Sequence, residues 1–551
     1  MSVMPVVVES RPPSSNDEKD NPPLLEKFSE RRSKELVIAF AGPIGCGIAS
    51  VINLTEEQLR QSGYTDVVRI KLSDFLEQAL KEGRINAQSE ESASTKFNRY
   101  RRLQLAGMDL RHQTVNAAIL AEYAIQKIVT DRTRRSEQVA VVDDAIEGVK
   151  PMAPGRIAYL IDQIKRPEEV ILLRAVYRNL FYLVGVTRIY AKRLAALEDE
   201  GLTSKEAPSL MEIDRNEIVD DGQRLDKTLH LADYFLRNNI DDTANKKEKI
   251  SRFLRVIHGD KSITPTNNEH GMYTAYAAGL RSACLSRQVG AAIASESGEI
   301  ISTGCNDVPK PGGGLYSVSS EVPDNRCVHL PDKLCFNDLY KKKLQEEIGS
   351  VIDQFLKRNK FNDTSITLEA EQRKVLLKSI YENTRLGSLI EFSRSVHAEM
   401  DAIVSLARNG GIGIKGAILY TTTFPCHSCA RHIVAAGISK VFYIEPYEKS
   451  LARELHKDAI AFENEANSDQ NKAPSLVQFL HFEGIAPRQF QNVFLASDRK
   501  SKEGKFLEIN LVNSEKTLPE YLDNYQSFEV KVVEHFTKDL EKVPSTTKVE
   551  A

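Results

Sequence analysis

The chain has 551 residues, 41% hydrophobic and 27% charged, with 74 Lys+Arg against 77 Asp+Glu and a formal net charge of -3. That length suggests two large domains with ordinary cores, and the charge balance excludes a global basic field for nucleic acid while leaving room for a local patch. No apolar run approaches the ~20 residues that span a bilayer, the opening segment is too polar for a secretory signal, and seven cysteines in so long a chain do not make a disulfide scaffold; a reducing, cytoplasmic setting without a membrane partner is expected.

Residues 1–34 carry Pro, Ser and charge with little periodicity and read as a flexible tail. Structure is expected to begin at the apolar run Glu35–Ala41, which ends in the Gly-rich turn Gly42-Pro-Ile-Gly-Cys-Gly47. A second strand is expected at Val67–Ile70, a long helical stretch from Asn98 to Thr130, and further strands at Val139–Asp144, Phe181–Val186 and His230–Phe235. Strands alternating with helices imply a mostly parallel sheet covered on both faces, in a first domain of residues 35–260.

Lys261–Asn268 reads as a linker into a second domain of residues 261–500, followed by a charged extension, 501–551. In the second domain the pattern predicts a helix over Gly271–Cys284, strands at Gly290–Ala294 and Glu299–Gly304, and a Cys-containing insertion from Pro309 to Arg385. A helix His397–Asn409, a strand Ala417–Thr422, a helix Cys426–Ala436 and a strand Lys440–Glu445 complete it.

The chemistry concentrates in His397-Ala398-Glu399 and Pro425-Cys426-His427-Ser428-Cys429. One His and two Cys give three zinc ligands and leave the fourth tetrahedral position for water, the layout of a catalytic zinc. Cys426 and Cys429 fall at the start of a helix, where unpaired N–H groups and the positive dipole end favour thiolates. Glu399 cannot share the metal's side of an ideal helix, but in the first turn it can reach the bound water. His427 and His432 read as helix-surface residues rather than ligands.

These motifs match the H-x-E…P-C-x-x-C signature of zinc nucleoside and nucleobase deaminases. With Ser286-Arg-Gln-Val-Gly-Ala291, Ser302-Thr-Gly-Cys-Asn306 and Tyr420-Thr-Thr-Thr423, the stretch Gly271–Pro446 resembles the deoxycytidylate deaminase branch of the cytidine/deoxycytidylate deaminase superfamily. The resemblance implies an α/β/α deaminase fold and hydrolytic attack on C4 of cytosine by a zinc-held water of pKa lowered toward ~7. Glu399 would shuttle the proton to N3 and then to the leaving ammonia. It also implies that Asn306 contacts the deoxyribose, that Arg287, offset by one residue, serves the phosphate, and that Tyr447 closes over the base. Cys284 and Cys327 match positions of a second, structural zinc in phage-type enzymes, with His329 or Cys335 completing it; unliganded thiols are the alternative.

In the first domain, Gly42, Gly45 and Gly47 hold the frame of a phosphate-binding loop, but Ile48 and Ala49 stand where Lys and Ser/Thr belong, with Ser50 one place late. Asp143 resembles a magnesium-binding strand-end acid, and Ala232–Asn238 the last strand of nucleotide kinases. The domain therefore resembles a P-loop kinase with a compromised loop, suited to sensing a regulatory nucleotide rather than to phosphoryl transfer, with an inert scaffold as the plain alternative. The pairing of this domain, including Ile161–Val170, with a deaminase carrying Phe482–Arg488 resembles bacterial anti-phage deoxycytidylate/dCTP deaminases. For that family the implied role is depletion of deoxycytidine nucleotides against phage, with a small inhibitory RNA for some members; a homo-oligomer is expected. The rival readings are a polynucleotide deaminase, against which the lack of basic, aromatic-interleaved runs speaks, and a nucleotide-regulated binding protein with structural zinc, against which the intact Glu399 speaks.

Overall fold

The computed structural model describes residues 31–85, 94–140, 155–215, 223–240, 242–319, 322–361, 364–365, 367–410, 413–445, 450–462, 476–495 and 499–543. Among them the chain forms two six-stranded sheets and one small hairpin. The strands of the first half are β1 (Leu36–Ala41), β2 (Asp66–Lys71), β3 (Ile157–Asp162), β4 (Phe181–Thr187) and β5 (Tyr234–Arg237). The second half adds β6 (Gly290–Ala294), β7 (Ile300–Cys305), the hairpin β8 (Lys360–Phe361) and β9 (Thr364–Ser365), then β10 (Ile418–Thr423), β11 (Lys440–Glu445), β12 (Ile460–Phe462), β13 (Val477–His481) and β14 (Gly484–Ile485).

The first sheet runs β14-β5-β4-β1-β3-β2, with β1 to β5 all parallel. All six residues of β1 are buried, as a central parallel strand covered on both faces requires. Helices Ile48–Gln61 and Thr243–Ile257 cover one face through Val51, Ile52, Phe253 and Leu254. Helices Ile119–Ala140 and Pro167–Tyr177 cover the other through Ala124, Ile125, Ile128, Val170 and Leu173.

Three sequence expectations need correction here. The run at Val139–Asp144 does not start a strand: Val139 and Ala140 end the helix Ile119–Ala140, and Asp143 lies outside the described residues. The strand beside β1 is β3, whose terminal Asp162 is held by Arg69 at 3.1 Å. The single long helix is two, Thr95–Thr114 and Ile119–Ala140, broken at Val115, which has φ 54. The last parallel strand begins at Tyr234; His230 precedes it in a turn.

The second sheet runs β12-β13-β11-β10-β6-β7. The pairs β10–β11, β11–β13 and β12–β13 are parallel, while β6 joins β10 and β7 antiparallel. Its expected elements appear at β6, β7, β10 and β11 within a residue or so, and the insertion folds as helices Phe336–Arg358 and Ala370–Asn383.

The end of the chain returns to the first sheet. β14 pairs antiparallel with β5, and helix Leu522–Glu541 packs on Ile119–Ala140, burying Tyr525 and Phe536. Residues 1–30 lie outside the described residues, but from Arg31 the expected tail is anchored: Arg31 pairs with Asp523, Arg32 with Glu515, and Ser33 Oγ lies 2.9 Å from Tyr525 Oη. Glu269 joins the two sheets. It caps helix Asn267–Gly279 by accepting from Thr266 N at 2.8 Å, pairs with Arg252 at 2.7 Å and accepts from Ile485 N at 2.8 Å. Among the described residues no helix is long and apolar enough to cross a membrane.

Candidate active site

Two helix starts converge on one point. His397 is the N-cap of helix Ala398–Asn409, in extended conformation, so its side chain leaves the helix while Glu399 sits in the first turn. Cys426 is the N-cap of helix His427–Ala435, and its Sγ accepts from Cys429 N at 3.4 Å. The helices are placed by the sheet beneath them. A Cβ on Gly304 of β7 would stand 2.3 Å from Ala398 O and 2.4 Å from Ala402 N; one on Gly290 of β6 would stand 1.9 Å from Ala275 O of helix Asn267–Gly279, which carries none of these groups. Only glycine permits these approaches, which is the physical content of two of the short motifs read from the sequence.

His397 Nδ1 lies 3.3 Å from Cys426 Sγ and 3.3 Å from Cys429 Sγ. A tetrahedral zinc with ~2.0 Å bonds to nitrogen and ~2.3 Å to sulfur separates such ligand atoms by about 3.5 Å, so the donor set and its spacing fit that ion. Hydrogen bonding with Cys429 and with His397 pulls the Cys426 thiol down, while its Cys426 neighbour and burial push the Cys429 thiol up. His397 is raised by its hydrogen bond to Cys426. A central cation would favour both thiolates.

Glu399 is 4% exposed, and burial raises its carboxyl above the usual range. Its Oε2 lies 3.5 Å from Cys429 Sγ, so it borders the ligand group without being one of the three. His397, Glu399 and Cys426 open into a cavity of about 180 Å³, lined also by Asn306, Arg287, Phe336, Asn337, Arg394 and Thr423, with Cys429 buried behind them.

The other expected residues fare unevenly. Asn306 lines the cavity, and its amide braces the preceding loop: Val289 N donates to Oδ1 at 2.7 Å and Nδ2 donates to Arg287 O at 2.8 Å. Arg287 also lines the cavity and pairs with Glu445 at 2.8 Å. Tyr447 lies outside the described residues. The second metal group is not assembled: Cys284, Cys327, His329 and Cys335 yield no set of three donors within bridging distance. Cys284 Sγ instead accepts from Ser395 Oγ at 3.4 Å, Arg394 lies beside Cys327, and the His329 imidazole faces the Asp324 carboxylate at 3.3 Å.

Sequence reasoning missed Arg394 and Asp307. Arg394 stacks 5.2 Å over the Phe336 ring at the cavity wall; its signal was its place three residues before His397. Asp307, 1% exposed, accepts from Ala283 N at 2.9 Å and fixes the loop that carries Cys284; an acid directly after Asn306 was the available clue.

The glycine loop lies elsewhere, at the end of β1, with Gly45 and Gly47 at φ 78 and 77 and Ser50 exposed in the helix that follows. Lys165 donates to Gly42 O at 3.2 Å, and Arg193 Nε to Ile44 O at 3.0 Å.

Residues 265–445 match the family model described as the cytidine and deoxycytidylate deaminase zinc-binding region. The chain is 29% identical over 184 residues to the deoxycytidylate deaminase of Enterobacteria phage T4, covering 32% of this chain and 76% of that protein. It is 30% identical over 176 residues to the deoxycytidylate deaminase of Enterobacteria phage T2, covering 32% and 78%. Among solved structures, dCMP deaminase from the cyanophage S-TIM5 in apo form aligns at 17% identity and TM-score 0.20, over 40% of this chain and 99% of that one. A His/Cys/Cys group, a buried carboxyl beside it and the T2 relative agree: the chain belongs to the deoxycytidylate deaminase family, and is a zinc-binding hydrolase acting on a cytosine nucleotide.

Proposed function

We propose that the chain removes the C4 amino group of free deoxycytidine nucleotides, dCMP and/or dCTP, giving the deoxyuridine counterparts, with zinc held by His397, Cys426 and Cys429. The observation that supports this reading is the His397/Cys426/Cys429 group gathered beside Glu399 at a cavity that His397, Cys426 and Glu399 line. Zinc bound there supplies a water acidic enough to act as a nucleophile at neutral pH. Glu399 holds and moves the protons: burial raises its carboxyl, so it would take one proton of the attacking water and give it to ring N3, then take that water's second proton and give it to the departing amine. Arg394 and Arg287, the two guanidinium groups on the cavity wall, are assigned to the substrate phosphate, since a guanidinium offers a charged fork to phosphate oxygens. Asn306 positions the Arg287–Val289 loop through its two backbone hydrogen bonds, and its remaining donor and acceptor capacity serves the sugar.

The first sheet is assigned a kinase-like fold and a nucleotide-sensing role in place of phosphoryl transfer. Its β5-β4-β1-β3-β2 order and the glycine loop after central β1 support the fold; Ile48 in place of the loop lysine argues against chemistry on a γ-phosphate. A regulatory nucleotide at this loop, a small inhibitory RNA, assembly into a homo-oligomer and action against phage by nucleotide depletion rest on the pairing of the two regions in one chain.

The test is incubation of the pure full-length protein with dCMP, dCTP, CTP and single-stranded DNA, with uracil products followed by mass spectrometry. Conversion of dCMP or dCTP supports the proposal; uracil appearing only in the DNA would replace it with a polynucleotide deaminase. For defence, cells carrying wild-type protein should lose deoxycytidine nucleotides and resist phage, whereas Glu399→Gln cells should do neither.

A further inference from the structure

The C-terminal helix Leu522–Glu541 carries His535 and Asp539 one turn apart, and both meet Glu122 in the first turn of Ile119–Ala140. His535 Nδ1 is 3.0 Å from Glu122 Oε1 and 3.4 Å from Asp539 Oδ2. An ion with tetrahedral bonds of ~2.0–2.1 Å to nitrogen and oxygen holds its ligand atoms about 3.3 Å apart, so one ion reaches all three.

The two carboxylate side chains are only 8% and 2% exposed. Glu122 Oε2 is buried and has no hydrogen-bond partner. A carboxylate oxygen taken from water without a partner is costly, and burial holds the Glu122 carboxyl above its ordinary range. The Asn116 amide and the His535 ring lower the Glu122 carboxyl, but burial outweighs them. Asn116 Nδ2 donates to Asp539 Oδ2 at 2.9 Å and stands beside Glu122, while Lys542 Nζ pairs with the other Asp539 oxygen, Oδ1, at 2.6 Å. The His535 side chain is 59% exposed, which leaves a path from solvent.

We propose that Glu122, His535 and Asp539 form a second metal site, distinct from the His397/Cys426/Cys429 group, which takes a divalent ion of the manganese or zinc class and staples the C-terminal helix to the first layer. Two carboxylates and an imidazole suit Mn²⁺ as well as Zn²⁺, whereas the two thiolates of the other group disfavour Mn²⁺. Glu122 and His535 stand 413 positions apart, so a bound ion closes a very long loop and holds the end of the chain in place.

That difference in donor chemistry supplies the test. Full-length protein loaded with one equivalent of zinc, which the thiolate group takes first, is titrated with Mn²⁺, and the free-ion electron paramagnetic resonance signal is followed. One saturable Mn²⁺ per chain is expected, with the melting temperature rising as the site fills. His535→Ala and Asp539→Asn should each raise the Mn²⁺ dissociation constant at least roughly ten-fold while keeping the wild-type zinc content. No saturable Mn²⁺ binding, or equal binding in wild type and both variants, would overturn the proposal.

Discussion

The backbone N–H of Ile44, inside the glycine loop, donates to the Asp214 carboxylate at 2.7 Å, and the second oxygen of that carboxylate meets Lys165 Nζ at 2.6 Å. The loop amide that would greet a phosphate is thus already served by an internal anion, itself 2% exposed. Wild-type protein is expected to show no kinase activity. Asp214→Asn removes the competing charge and releases Lys165, so ATP affinity at the loop should rise roughly ten-fold, the effect of one charge-assisted hydrogen bond. Equilibrium dialysis checks this; unchanged or weaker binding would remove the loop from the regulatory reading.

Asn306→Ala should act on shape before chemistry. It strips an acceptor from Val289 N and a donor from Arg287 O, groups of a part-buried loop, at a cost of about 1–3 kcal/mol. Both melting temperature and kcat/KM should fall. A variant of wild-type stability with only KM raised would instead assign Asn306 to the sugar alone.

Arg132 is the hub that ties the end of the chain to its beginning. Its guanidinium bonds both oxygens of Glu35 at 2.9 Å and both oxygens of Glu529 at 2.6 and 3.1 Å, with each acid nearly fully buried. Arg132→Met strands two buried carboxylates and should destabilise by about 3–5 kcal/mol. Adding Glu35→Gln and Glu529→Gln should restore part of the loss in urea unfolding; no recovery would show that packing, rather than charge, is what Arg132 supplies.

Two buried histidines set an acid limit. His258 Nδ1 donates to Leu254 O at 2.6 Å and its Nε2 lies 2.9 Å from Tyr64 Oη; burial pushes its pKa down to about 3, and that of His481 down to about 4. Both values lie below the ordinary 6.5, so the unfolded chain binds the protons first. The stability tied to the neutral rings is present above pH 6.5 and is lost as pH falls toward those lower values, by about 1.4 kcal/mol per pH unit for each ring. His258→Gln should remove one proton's worth of that slope in unfolding midpoints measured between pH 6 and 4; an unchanged slope would refute the assignment.

What the sequence disclosed was what is local. The residues proposed to hold zinc sit in two short motifs whose spacing and helix-start positions are readable without any long-range information, and the strands β1, β4, β6 and β11 are apolar runs bounded by turns. The run at Val139–Val142 misled because a short apolar stretch reads alike as a buried strand or a helix end; β3 holds the edge-to-centre place instead. The return of the chain to its first sheet was hidden for a different reason. It rests on two residues of β14, on Glu269 accepting from Ile485 N across 216 positions, and on the Glu35–Arg132–Glu529 bridge, and none of these pairings leaves a periodic trace. Arg394 escaped because its place three residues before His397 is no motif by itself, and only folding brings Phe336 beneath it.

The central claim is that Glu399 moves the proton in a site whose metal is held by other residues. Glu399→Gln keeps the shape of the side chain and removes its ability to take a proton, so the purified variant should carry wild-type zinc yet form dUMP from dCMP, or dUTP from dCTP, at a rate lower by about 10²–10⁴. A zinc-loaded Glu399→Gln protein that retains more than about a tenth of wild-type turnover would contradict the account, since general acid–base catalysis carries more than that factor.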